Sequence, residues 1–205
     1  MSDKYLKVAV KAALRSGNFI KNSVGKINSI SYKSRNNLVT DVDKASERMI
    51  IGAIESAFPG HSFLAEESAP SERKSAYKWI IDPLDGTSNF TRAFPFFCVS
   101  IALERNGELL CGVVYDPMRD ELFTASKGHG AYLNRKRIRV SKVAHLADGF
   151  LGTGFSYKKS KRYESIVRFK RFLLRSMAVR RAGSAALALA YVACGRFDGF
   201  WEMDL

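Results

Sequence analysis

Trp79-Ile80-Ile81-Asp82-Pro83-Leu84-Asp85-Gly86-Thr87-Ser88-Asn89-Phe90 places two carboxylates on either side of a Pro-Leu pair, between an apolar strand-like run and a Gly-Thr turn. A strand ending at Asp82 delivers that side chain to the C-terminal edge of a sheet. Pro83 lacks an N–H and has a fixed φ, so it is expected to stop strand pairing and aim the next residues outward. The Leu84 carbonyl then becomes available as an oxygen donor, with Asp85 close enough to share a cation with Asp82. Oxygen ligands in this arrangement suit a hard divalent cation such as Mg²⁺. Gly86-Thr87 suits a turn whose backbone N–H groups hold a phosphate. An Asp-Pro turn followed by an Asp-Gly turn uses the same residues, and spacing alone leaves both readings open.

Upstream, Ala65-Glu66-Glu67-Ser68 closes a strand candidate at Ser62–Ala65, and Lys78–Asp82 is the next. If the two strands share a sheet, Glu66 reaches the same cation. Adjacent glutamates on a strand point to opposite faces, so only one of the pair serves as a ligand; a solvated loop is the alternative. Asp41-Val42-Asp43 opens a predicted helix, where one aspartate caps and the other is available for a second role.

The remaining pattern is mixed. Leu6, Val10, Ala13, Gly17, Ile20 and Val24 recur at helical spacing, predicting a helix over residues 3–24. A polar loop from Asn28 to Asn37 follows, then a helix from Asp41 with Val42, Met49, Ala53 and Ala57 on one stripe, ended by Pro59-Gly60. From Phe97 the pattern turns β: strands at Phe97–Glu104 and Leu109–Tyr115 flank Asn106-Gly107, a strong hairpin signal. Glu121–Ala125, Ala131–Val140, Phe150–Thr153 and Phe197–Met203 read as further strands. Helices are expected from Ser160 to Ser176 and from Ser184 to Cys194. Helices before and after a mostly antiparallel sheet predict a layered mixed α/β fold.

Composition narrows the class. No apolar run approaches the ~20 residues of a membrane span, and the N-terminus lacks the apolar core of a signal peptide. Cys98, Cys111 and Cys194 lie far apart without metal spacing, which fits reduced, buried thiols in a cytoplasmic protein. The net charge of +13 is uneven: residues 1–126 carry 16 Lys/Arg against 15 Asp/Glu, whereas residues 127–181 carry 16 against only Asp148 and Glu164. Such a stretch attracts anions in general, including acidic proteins and RNA; a solvated basic face is the plain alternative.

The run from Trp79 to Phe90 resembles the signature of the inositol monophosphatases, Mg²⁺-dependent, lithium-sensitive phosphatases of inositol and sugar phosphates. Leu38-Val39-Thr40-Asp41-Val42-Asp43, Ala65-Glu66-Glu67-Ser68, Gly112-Val113-Val114-Tyr115-Asp116-Pro117 and Arg181-Ala182-Gly183-Ser184-Ala185-Ala186 are similar to family segments and occur in family order. The resemblance covers essentially the whole chain, with the bacterial branch the nearer likeness. It implies a layered α-β-α-β-α sandwich, with an N-terminal half at 1–145 and a shortened C-terminal half at 146–205 of one continuous phosphatase domain. It also implies that Glu66, Asp82 and the Leu84 carbonyl hold one Mg²⁺, and that Asp82 and Asp85 hold a second. Thr87, bonded to Asp43, would help Glu66 orient and deprotonate a water, and the N–H groups of Gly86 and Thr87 would cradle the phosphate. Asp85, Ala185 and Glu202 would touch substrate hydroxyls. The implied reaction is in-line hydrolysis of a phosphate monoester without a phosphoenzyme.

Some positions depart from the family pattern. Asn134-Arg135 stands where many members have Asn-Gly, implying a less relaxed hairpin turn, and Arg35, Asn36 and Asn37 differ on the approach to the first motif. Family members continue past the equivalent of Glu202 into a Trp-Asp-x-Ala-Ala-Gly segment whose aspartate completes the second metal site. Here Met203-Asp204-Leu205 closes the sequence, and Asp204 does not fill that place. The expectation is a C-terminally truncated member with a weakened second site, impaired activity and exposed Phe197, Phe200 and Trp201. Relatives with the same metal motif act on fructose bisphosphate or 3′-phosphoadenosine nucleotides. A reading from another class makes the basic 127–181 stretch a surface for RNA or the transcription machinery, a use to which some bacterial relatives are put. Family members are often homodimers.

Overall fold

The computed structural model describes residues 2–27, 29–34, 37–69, 71, 73–155 and 159–203. The chain forms two compact units, Met1–Arg137 and Ile138–Leu205. The first opens with α1 (Ser2–Ser23), an antiparallel hairpin of β1 (Ile30–Ser34) and β2 (Asn37–Thr40), and α2 (Asp41–Ala57). A seven-stranded sheet follows in spatial order β3 (Ser62–Ala65), β4 (Tyr77–Asp85), β5 (Cys98–Arg105), β6 (Glu108–Asp116), β7 (Glu121–Ser126), β8 (Gly130–Leu133) and β9 (Lys136–Arg137). A single turn, α3 (Thr87–Phe90), lies between β4 and β5. All strand pairs in this sheet are antiparallel except β3 with β4, which run parallel.

One face of the sheet is the core. Trp79 and Ile81 of β4, Val99, Ile101 and Leu103 of β5, and Val113 and Tyr115 of β6 alternate inward at the two-residue period of a strand. Against them pack α1, over β5 and β6, and α2, over β4. The buried stripe of α1 is Ala9, Ala12, Ala13, Ser16 and Ile20, with Leu6 and Val10 only half-buried. On α2 it is Val42, Asp43, Ser46, Glu47, Ile50 and Ile54, rather than Met49, Ala53 and Ala57. Small residues bring the helices close: a Cβ at Gly17 would collide with the Tyr115 ring.

Several expectations are corrected. The stretch read as a loop from Asn28 to Asn37 holds β1 and the start of β2; its short runs gave no clear period. Asn28, Arg35, Asn36 and Asp204 lie outside the described residues. Pro83 does not end β4: pairing is interrupted after Asp82↔Ser100 and resumes at Asp85↔Cys98, leaving Pro83 and Leu84 as a bulge. The predicted strand Ala131–Val140 is two short strands around Asn134-Arg135. Both turn residues have positive φ, 46° and 68°, a conformation that favours Asn-Gly.

The second unit contains a 3₁₀ turn at Leu146–Asp148, β10 (Phe150–Thr153), α4 (Lys159–Leu173), β11 (Ala178–Arg180), α5 (Ala185–Ala193) and β12 (Gly199–Trp201). Its sheet has the order β11-β10-β12 and is wholly parallel, so the expected antiparallel character holds only in the first unit. β11 carries too few residues to show a period, and the last strand is shorter than Phe197–Met203. The rings there are packed rather than exposed. Phe197 lies 5.5 Å from both Phe150 and Tyr191, and Trp201 stacks on Phe172 at 4.3 Å.

Candidate active site

β3 and β4 run side by side with Ala65 opposite Ile81. The Glu66 N–H extends that ladder by donating to the Ile81 carbonyl at 3.2 Å. Two parallel strands therefore end together, and their next side chains, Glu66 and Asp82, share a hydrogen bond. Asp82 Oδ1 also accepts from the Leu84 N–H at 3.1 Å, closing an Asx turn over the bulge. Asp82 keeps some exposed surface, but its carboxyl is closely surrounded by protein. Burial first, then the charges of Asp85 and Glu66, hold it well above the usual carboxylate range, and the Leu84 N–H offsets only part of this.

The bulge turns Asp85 back into register with Cys98, whose Sγ lies 3.9 Å from Asp85 Oδ2. Gly86 then takes φ 99°, and a Cβ there would sit 3.0 Å from the Phe96 carbonyl, so glycine is required on both counts. α3 starts at Thr87, and Asn89 Nδ2 donates to the Phe96 carbonyl at 2.6 Å, tying this turn to the strand that follows.

The start of α2 supplies the third wall. Its N-cap is Thr40, not one of the aspartates; Asp43 is the reciprocal partner in a capping box. Asp43 Oδ2 accepts the Thr40 N–H at 2.8 Å and the Thr40 hydroxyl, while Oδ1 accepts the Thr87 hydroxyl at 2.9 Å. Asp43 is 1% exposed. Burial pushes its carboxyl upward, and the hydrogen bonds from Thr40 and Thr87 pull the other way. Asp41, its neighbour, accepts from the Ser29 N–H at 3.3 Å. The Thr87 hydroxyl also lies 3.1 Å from the Leu84 carbonyl, so that carbonyl is engaged rather than idle.

Two residues of this site escaped the sequence reading. Ser46 donates to the Pro83 carbonyl at 2.8 Å and contacts Ser16, holding the bulge against α1 and α2. Glu47 Oε2 accepts the Glu67 N–H at 2.8 Å, fixing the backbone that carries Glu66. The available signal was a polar Ser-Glu pair on the buried stripe of α2, where apolar residues belong.

Among the described residues no three His, Cys, Asp or Glu side chains already converge as a finished ligand set. The donor chemistry nonetheless fits a hard cation. The charges acting on the buried Asp82 carboxyl come from two further carboxylates, so a divalent ion would satisfy all three. Ala185 and Glu202 lie in the second unit. Ala185 is the first residue of α5, whose N-cap Ser184 accepts the Leu187 N–H at 3.3 Å, and the Glu202 carboxyl packs against the Gly154 backbone, where no Cβ fits.

The parallel β3–β4 edge, the carboxylate cluster and the capped α2 describe a hydrolase of the metal-assisted phosphatase class. Residues 1–205 match the inositol monophosphatase family, and the chain belongs to that family of phosphatases. It is 45% identical over 204 residues to the Nus factor SuhB of Escherichia coli K12, spanning 98% of this chain and 76% of that protein. It is 41% identical to an inositol-1-monophosphatase of Mesorhizobium japonicum, over 98% of this chain and 77% of the relative. The crystal structure of the extragenic suppressor protein suhB from Bartonella henselae superposes with a TM-score of 0.95 at 39% identity, covering 98% of this chain and 79% of that one. Among the described residues no helix is long and apolar enough to cross a membrane.

Proposed function

We propose that the chain hydrolyses phosphate monoesters of inositol or a sugar with Mg²⁺, releasing inorganic phosphate and the alcohol. The observation that carries this reading is the junction of two hydrogen-bonded pairs at one sheet edge: Glu66 with Asp82, and Thr87 with Asp43. Glu66, Asp82 and the Leu84 carbonyl would hold one cation, and Asp82 with Asp85 would hold a second. Bound divalent cations supply positive charge to the phosphate and to the leaving oxygen.

The chain's own groups do the rest. By donating its hydroxyl proton to Asp43, Thr87 turns a lone pair toward a water. Glu66 takes the proton of that water as its oxygen forms a bond to phosphorus in line with the breaking P–O ester bond. The departing alkoxide takes a proton from solvent. Gly86 and Thr87 N–H groups hold the phosphate, and Asp85 meets a substrate hydroxyl. The three thiols are free, and two are buried, which accords with a cytoplasmic setting.

Phosphate release from inositol 1-phosphate across a Mg²⁺ titration tests the proposal, with fructose 1,6-bisphosphate and 3′-phosphoadenosine 5′-phosphate as rival substrates. Release that needs Mg²⁺ and falls with Li⁺ is expected. Preference for either rival moves the substrate within the same fold, and no release at any Mg²⁺ concentration sinks the reading. The charge of residues 127–181, 16 Lys/Arg against two acids, favours a second role in binding RNA or the transcription machinery. Mobility shifts of a structured RNA across a salt series test it, and absence of binding at low salt rejects it.

A further inference from the structure

α4 is built almost entirely from cations and apolar residues. Within Lys159–Leu173, Glu164 is its one acidic residue. Glu164 is already taken, 2.7 Å from Arg168 and 3.9 Å from Lys161. Arg171 and Arg175, one turn apart at i, i+4, have no carboxylate partner among the described residues. Both line a groove of about 390 Å³ together with Leu146, Val167 and Phe172 and with the mutually paired Glu164 and Arg168. Leu146 is 41% exposed. Two guanidiniums without a carboxylate partner beside this apolar lining present complementary chemistry to a segment with two carboxylates and an apolar side chain between them.

We propose that this groove docks an acidic protein segment through an apolar anchor. The proposal rests on the anion-binding reading of residues 127–181 and narrows it. The lining argues against single-stranded nucleic acid. Single strands need free aromatic faces on which to stack bases, whereas Leu146 and Val167 are aliphatic and the Phe172 ring already stacks on Trp201 at 4.3 Å. The exposed aromatic of α4, Tyr163, is not part of the groove lining. A second copy packed groove to groove would bring the same arginines face to face and meet like-charge repulsion.

The test is fluorescence anisotropy with a labelled helical peptide that carries Glu at i, i+4 and a central Leu. A peptide with Ser in place of that Leu and a labelled RNA hairpin serve as parallel probes. Arg171→Gln/Arg175→Gln is expected to weaken the Leu peptide by about tenfold, and Val167→Asp comparably, with melting curves confirming that each variant is folded. Tyr163→Ala should leave it unchanged, as should phosphatase activity in the arginine variant. Equal binding of the Ser peptide overturns the anchor, and so does loss of peptide binding in Tyr163→Ala. If the RNA binds but the peptide does not, the docking inference fails while the wider anion-binding reading stands. If neither binds, both fail. A concentration-dependent doubling of mass abolished by Val167→Asp would instead assign the groove to self-association and overturn the proposal.

Discussion

The two ends of β4 are built from opposite materials. At its start, Tyr77 and Trp79 join Tyr5, Phe58 and His61 in one aromatic cluster; the His61 ring lies between Phe58 and Tyr77, at 4.9 and 4.7 Å, nearly parallel to both. Trp79 is fully buried and donates its indole N–H to His61 Nδ1 at 3.0 Å. At its end, the strand bulges and crowds Asp82, Asp85 and Glu66 together. One end gathers contacts that reward folding, and the other collects like charges that oppose it. The strand is the rigid link by which the first holds the second in place, as expected where a site needs groups that a stable core would exclude.

Replacing the acid that opposes folding should separate the two ends most sharply. Asp82→Asn removes a proposed cation ligand, and phosphate release should fall by roughly a thousandfold or more. In protein stripped of divalent cations the same change should stabilise. The Asn amide can donate to Glu66 and replaces an acid crowded by burial and two like charges, a gain of about 1 kcal/mol. Denaturant midpoints with and without Mg²⁺ read both effects. A variant less stable than the parent in the absence of cations would show that this end is not strained by its charges.

At the other end the expected change is purely structural. Trp79→Ala empties a fully buried site and should cost about 3–5 kcal/mol. Where the variant remains folded at low temperature, the Mg²⁺ concentration for half-maximal activity should move little, because the carboxylates hang from the far end of the strand. A large shift in that value would mean that the aromatic end sets the site's geometry as well as its stability.

Thr87→Val is a subtler probe of the acid end. The methyl group keeps the volume but removes the proton donated to Asp43, so the rate should fall by about a hundredfold. The loss should appear in kcat rather than KM if, as proposed, the side chain orients the attacking water and does not bind the ester. A change confined to KM would move Thr87 out of the water-activating role.

The meeting of Asp82, Asp85 and Glu66 was legible because it follows from residue identity and spacing: each carboxylate stands at or just past the end of a readable strand. Ser46 and Glu47 were not, because their partners, the Pro83 carbonyl and the Glu67 N–H, are 37 and 20 residues away. The same contrast runs through the fold. The β5–β6 hairpin was readable from Asn106-Gly107, which take φ 51° and 83° as such a turn demands. Asn134-Arg135 adopts a similar backbone without the glycine, so β8 and β9 merged into one predicted strand. The helix faces shifted because small residues such as Ala9, Ala12 and Ser16 decide how closely α1 approaches the sheet, and periodicity weighs them little. The terminal aromatics looked exposed because their partners, Phe150, Phe172 and Tyr191, are brought to them only by the fold.

The smallest expected effect is a pH slope that belongs to the aromatic end. Burial, followed by the Lys4 charge, lowers the His61 pKa below its ordinary 6.5. The neutral ring accepts the Trp79 N–H; the imidazolium has no lone pair at Nδ1 to do so. The other charged or titratable groups facing the cluster are Tyr5, Tyr77 and Arg105, which lies over the Tyr77 ring. Between the lowered folded value and 6.5 the unfolded chain binds more protons at His61 than the native protein, so stability must rise with pH through that window. His61's contribution is fully present above 6.5 and is lost as pH falls through the folded value. Burial at the carboxylate end acts in the opposite sense, favouring the protonated form of Asp82. Melting temperatures followed from acid to neutral pH in the presence of chelator should therefore climb through pH 6 in the parent. In His61→Phe, which keeps the stack but not the titration, that rise should disappear. An unchanged slope in the variant would move the pH response away from this end of β4.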